Sequence, residues 1–258
     1  MTRGLWDRET VALLLLAAFL PMLLGWLYYG GLPAAGRLVF TLVVAGFWHL
    51  AFMLARAQPP SFAGVLTAVA VAMLAPPNLS VLQLVMGISF GAVIAELVFG
   101  GWGRNVLNPA TVTLAFLGFG FPAAPWPELA LPIGWAAIPA LAIGVLFGVM
   151  ALQLVLGAVL ALALCSWAGV PLAPALPVAG IVLVLLVTDP VASASTRLGG
   201  WLNGGLYGLL VALFAAQWQG AAPVQMAVSA ALLAGLSAPL LDEIALALWT
   251  LRRRMRHG

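Results

Sequence analysis

Long apolar runs, broken by short polar or Pro/Gly interruptions, dominate the chain. Cutting wherever glycine, proline or charge interrupts the run predicts ten helical segments, at about 9–29, 37–56, 61–75, 80–99, 107–121, 132–150, 152–168, 175–188, 201–218 and 223–241. The runs lack period-2 alternation, which excludes a β-barrel. The stretch 131–167 is too long for one helix and has to be two, with Gln153 and Gly157 marking the bend. The first stretch follows Asp7 and Glu9 and is not followed by a small-x-small cleavage site. It reads as a retained span rather than a signal peptide.

Segments 61–75 and 175–188 are too short to cross a hydrocarbon core of about 30 Å at about 1.5 Å per residue. Both end in proline punctuation, Ala75-Pro76-Pro77-Asn78 and Thr188-Asp189-Pro190. They hold the third place in each half of a five-plus-five arrangement, with repeat 1 at about 9–121 and repeat 2 at about 132–241. An odd number of spans per half inverts the second half relative to the first. Short, interrupted segments at matching places of inverted halves point to a site near the bilayer midplane. Asp189, Thr188 and Asn78 are the side chains expected to satisfy the backbone groups freed at the two turns.

The composition supports a membrane solvent. The 258 residues are 64% hydrophobic and 7% charged, with a mean hydropathy of +1.15, whereas soluble domains carry about 25% charged residues. A soluble enzyme, a disordered chain and a nucleic-acid-binding domain are excluded. The ten bases are all arginine. With ten spans and a cytoplasmic N-terminus, Arg3, Arg8, Arg56, Arg104, Arg197 and the basic tail at 250–258 fall inside, leaving only Arg37 outside. Both termini are therefore expected in the cytoplasm, in a bacterial inner membrane. Tryptophans near segment ends, among them Trp26, Trp126, Trp201 and Trp249, read as interfacial belts.

Few residues can carry chemistry. The lone cysteine, Cys165, lies in an apolar run and supports neither a disulfide nor an iron–sulfur or other metal site. His49 is the only histidine within a span, so a bis-His haem is not expected, and it reads as a packing residue. Nucleophile constellations and nucleotide fingerprints are absent, leaving no independent catalytic centre. The glycine-rich turn ending in Arg104 and Asn105 leads to Asn108-Pro109, a proline at a helix start where its missing N–H costs nothing. Arg104 reads as a topology anchor or as an inward-facing partner for Glu96 or Asp189. Asp189, with Thr188, Pro190 and Ser193, is either an interfacial cap or a buried group at an interrupted helix end.

From Phe62 to Asp242 the sequence resembles one family. The carrying pieces are the proline turn at 74–77, Phe99-Gly-Gly-Trp-Gly-Arg-Asn-Val-Leu-Asn-Pro-Ala110, and Thr188-Asp-Pro-Val-Ala-Ser193, with a weaker echo in Ala238-Pro-Leu-Leu-Asp242. These resemble the NqrB/RnfD family, membrane components of the sodium-translocating NADH:quinone reductase and of the Rnf electron-transport complex. The resemblance implies an all-α fold of ten transmembrane helices in two inverted five-helix repeats, similar to urea transporters. It also implies an FMN esterified to a threonine in the outer loop between spans five and six. Here that loop, 121–131, holds neither threonine nor serine. No covalent FMN is expected; a non-covalent flavin or other cofactor between the repeats stays open as the route for any redox role, though no residue points to it.

Three functions stay open. The first is a scaffold or accessory subunit of an electron-transport complex, packed against other membrane subunits and the lipid bilayer. The second is a stand-alone channel or carrier for a small solute or ion. The third is a subunit recruited by an unrelated respiratory or photosynthetic assembly.

Overall fold

The computed structural model describes residues 7–56 and 61–257, and among them every regular element is helical. Helix α1, Arg8–Arg56, starts under a cap in which Asp7 Oδ1 accepts the Thr10 N–H at 2.9 Å. Hydrogen bonds from Thr10 hold the Asp7 carboxyl below the usual carboxylate range. A straight helix of its 49 residues would reach about 73 Å. Yet Arg8 Nη1 donates to the Trp102 carbonyl at 3.1 Å and Arg56 Nη1 to the Leu97 carbonyl at 2.7 Å, so both ends meet the stretch 97–102. The chain doubles back at Gly31, whose φ of 58° and ψ of −146° suit only glycine. The linker expected at 30–36 is thus a single-residue reversal, and Pro33 falls in the first turn after it, where a missing N–H is harmless.

Helix α2, Ala63–Leu74, is entered through the Phe62 N–H, which donates to Glu9 Oε2 at 2.9 Å. Ten of its twelve residues are buried, so it is a core element rather than a lipid-facing one. Helix α3, Val81–Phe90, begins at a capping box between Ser80 and Gln83 and runs on through a π-helical turn, Gly91–Glu96, and a 3₁₀ turn, Leu97–Phe99. Helix α4, Pro109–Gly120, follows the glycine-rich turn.

The apolar run from 131 divides into α5, Leu131–Trp135, α6, Ala137–Leu146, and α7, Leu152–Trp167. The bend sits at 147–151, where Gly148 has a φ of 70°, and not at Gln153 or Gly157. Those two lie inside α7. Gly157 instead permits close helix contact, because a Cβ there would come within 2.5 Å of the Trp201 carbonyl oxygen.

Helix α8, Leu176–Val182, ends in a second π-helical turn, Leu183–Val187, all of it buried. Helix α9, Arg197–Gln217, is capped by Thr196 and packs along α7. Helix α10, Pro223–His257, continues well past the end expected at 241 and carries the basic residues in its last turns. Among the described residues, four helices are long and apolar enough to cross a bilayer: Arg8–Arg56, Val81–Phe99, Arg197–Gln217 and Pro223–Arg253. Several shorter apolar helices are packed among them, and the chain is an integral membrane protein. Helix α2 packs on α1 and α4, α8 on α5, α6 and α10, and α2 also touches the π turn that closes α8.

Candidate central polar site

The end of α8 is the most polar point of the core. Thr188 Oγ1 donates back to the Val184 carbonyl at 3.0 Å, which anchors the widened last turn. Asp189, 7% exposed, accepts from the Val191 N–H at 3.0 Å on Oδ1 and from Asn108 Nδ2 at 2.9 Å on Oδ2. The Ser193 N–H donates to the Asp189 carbonyl at 3.1 Å, closing the turn around the half-buried Pro190. Asn108 works in two directions, because its Oδ1 also accepts the Thr111 N–H at 3.1 Å and caps α4, which opens on Pro109. A cavity of about 20 Å³, lined by Thr67, Trp102, Asn108 and Asp189 with apolar side chains of α1, lies beside the carboxylate. That is room for a single water.

A second carboxyl group lies nearby. Glu96 closes the π turn of α3 and is 1% exposed, and neither of its oxygens has a hydrogen-bond partner. The Trp102 amide approaches it without reaching bonding geometry, and His49 Nε2 stands 3.7 Å away. Glu96, His49, Arg8 and Trp102 border a cavity of about 250 Å³ at the end of the molecule where α1 begins and ends. Buried Trp102 lines both cavities.

Of the sequence-derived residues, Asn108, Pro109, Thr188, Asp189 and Pro190 come together, with Ser193 joining through its backbone. Asn105 does not reach them. It clamps its own loop, accepting the Gly103 N–H at 3.1 Å and donating to the Leu107 carbonyl at 3.0 Å. Arg104 is exposed and folds over Gly100, where a Cβ would lie 3.1 Å from its Nη1. Among the described residues it forms no ion pair with Glu96 or Asp189, since its stem folds back on its own loop. Asn78 is likewise exposed. The α2 turn is satisfied instead by Arg37, whose Nη2 donates to the Ala75 and Pro76 carbonyls at 2.6 and 2.9 Å.

Sequence reasoning missed three contributors. Arg37 caps α2 from 38 residues away. His49 faces Glu96, and a Cβ on Gly64 would lie 2.6 Å from its ring, so a side chain there would have to displace the ring. Asp242 accepts from the backbone N–H and hydroxyl of both Ser195 and Thr196, at 2.6–2.9 Å, and ties the loop carrying Asp189 to α10. Only Asp242 left a signal, the acidic residue ending the Ala238–Asp242 motif.

The 121–131 loop does not fit a covalent flavin. It offers no hydroxyl to esterify, and Trp126 packs against Gly118, leaving no space for a side chain there.

Comparison with known proteins identifies the family. Residues 6–142, just over half of the chain, match the profile described as the NQR2, RnfD, RnfE family. A Na(+)-translocating NADH-quinone reductase subunit of Pseudomonas paraeruginosa is 29% identical over 277 aligned positions, covering 84% of this chain and 68% of that protein. The corresponding reductase subunit of Klebsiella pneumoniae strain 342 is 41% identical over 102 positions, 38% of this chain. That shared stretch spans only 25% of the Klebsiella protein. The chain belongs to the NQR2, RnfD, RnfE family.

Proposed function

We propose that this protein is a membrane subunit of a redox complex of the kind its relatives are named for, serving as scaffold and polar core without a covalent flavin of its own. The observation that carries this reading is a family-type core whose 121–131 loop has no esterifiable oxygen. Electron transfer then belongs to neighbouring subunits, and this chain positions them in the bilayer. A denaturing gel tests the flavin directly: the band is expected to show no flavin fluorescence, and a fluorescent band would overturn the reading. Purification in mild detergent is expected to bring other membrane subunits with it.

A second reading, passage of a small ion or proton, is favoured by one observation. Two buried carboxyl groups, Glu96 and Asp189, border two cavities that share Trp102 in their linings. Ionisable groups buried in membrane proteins usually mark such paths. In this reading Asn108 and Thr188 orient Asp189, and Glu96 with His49 forms the entry.

The same proposal includes ten membrane crossings in two inverted repeats with both termini cytoplasmic. A cysteine placed at Gly258 is expected to resist an impermeant reagent applied from outside, and one placed at Ala124 to react with it.

A further inference from the structure

At the Gly31 end of the molecule lies the largest of the cavities described, about 470 Å³, bounded by Trp26, Phe40, Leu84 and the prolines 76, 77 and 127. Its walls are apolar apart from one group. Arg37 enters it half-buried, and only Nη2 is engaged by the Ala75 and Pro76 carbonyls. Its Nε is fully buried with no acceptor. Among the described residues, no carboxylate pairs with this guanidinium. Carbonyl dipoles satisfy hydrogens but do not cancel a positive charge, and a cation in apolar surroundings requires an anion or water. The surrounding surface is greasy, with Tyr28 and Leu32 more than 80% exposed, as expected of a surface that lies in lipid.

We propose that this cavity holds the phosphate headgroup of an anionic phospholipid, with Arg37 as its counter-ion and Trp26, Phe40 and Leu84 against its glycerol and upper chains. A volume of this size suits a headgroup with its first methylenes. A planar guanidinium with free donors matches phosphate oxygens better than any other side chain. The site is independent of the central carboxylates and of the reading proposed above.

The test is thermal unfolding of the delipidated full chain in neutral detergent, with dioleoyl phosphatidylglycerol, dioleoyl phosphatidylcholine or sodium phosphate added. Two variants separate the site from the basic end of α10, which also attracts anionic lipid. Arg37→Gln removes the charge. Gly36→Leu fills the cavity while keeping Arg37, and a Cβ at Gly36 meets nothing within 4 Å, so the fold tolerates it. Phosphatidylglycerol is expected to raise the wild-type midpoint by about 5 °C, with phosphatidylcholine and phosphate nearly silent, and both variants are expected to lose most of that rise. An equal response to phosphate alone would overturn the lipid assignment. An undiminished response in Gly36→Leu, or none to phosphatidylglycerol in the wild type, would overturn the site.

Discussion

Helices α2 and α8 are both short, apolar, buried and closed by a proline turn, yet the two turns are satisfied by opposite chemistry. At the α2 end the free groups are carbonyls, and a cation from a distant part of α1 supplies the donors. At the α8 end the turn itself contributes an acid, and amide donors from α4 and from its own backbone converge on it. The first end opens onto a large apolar cavity and the second onto a space for one water. A helix terminus buried among protein must find partners, but the sign of the group that provides them decides what the neighbourhood can bind. Arginine beside an open cavity suits an anion, and aspartate beside an enclosed one suits a proton, a water or a small cation.

The largest effect is expected at the α8 turn. Asp189→Leu leaves Asn108 Nδ2 and the Val191 N–H without acceptors in a buried site, a cost of about 2–5 kcal/mol. It should appear as a lower unfolding temperature or a failure to accumulate in the membrane. Asp189→Asn keeps one acceptor and is expected to fold at a cost of about 1 kcal/mol. If Asn retains the activity of the assembled complex, the charge is architectural; if activity falls with the fold intact, the ion reading stands.

Next comes Arg37→Leu, which strips the Ala75 and Pro76 carbonyls of their donor and should cost about 2–3 kcal/mol. Arg37→Lys can restore one of the two bonds and should recover part of that loss. A loss at Arg37 larger than that at Asp189 would break the distinction between an open end and an enclosed one.

The smallest effect on folding is expected for Glu96→Gln. The carboxylate makes no hydrogen bond to lose, so unfolding should shift by less than about 1 kcal/mol, or toward greater stability. A buried carboxyl group that contributes little to the fold is expected to matter for passage, read as ion-dependent turnover of the complex reconstituted in vesicles. A destabilised Glu96→Gln variant would instead make the His49 contact structural.

Much of this architecture is legible in the sequence because its causes are local. Apolar runs specify helices, Asn108-Pro109 specifies the start of α4, and the two proline turns specify where α2 and α8 stop. The breaks at Gly31 and near Gly148 fall within or beside cuts read from the sequence, but which residue adopts the positive φ is not legible, because glycine is common throughout the chain. The cut between 132–150 and 152–168 falls within the observed break at 147–151, whereas Gln153 and Gly157, the residues read as marking it, lie inside α7. Gly157 looks like a hinge but is a contact glycine, whose role depends on Trp201, 44 residues away in sequence.

Taken alone, the sequence determined that the chain is a helical membrane protein, where most of its helices break, and which family core it carries. These follow from the free energy of placing apolar segments in lipid and from turn chemistry within a few residues. Only the tertiary structure decided that Arg37 closes α2, that His49 faces Glu96, that Asp242 holds the Asp189 loop, and that Arg104 takes no part in the central site. The first three pairings join residues 38 or 47 positions apart. In an interior nearly closed to water, which partner meets a buried polar group is decided by what packing brings within reach, and helix packing, not sequence proximity, makes that choice.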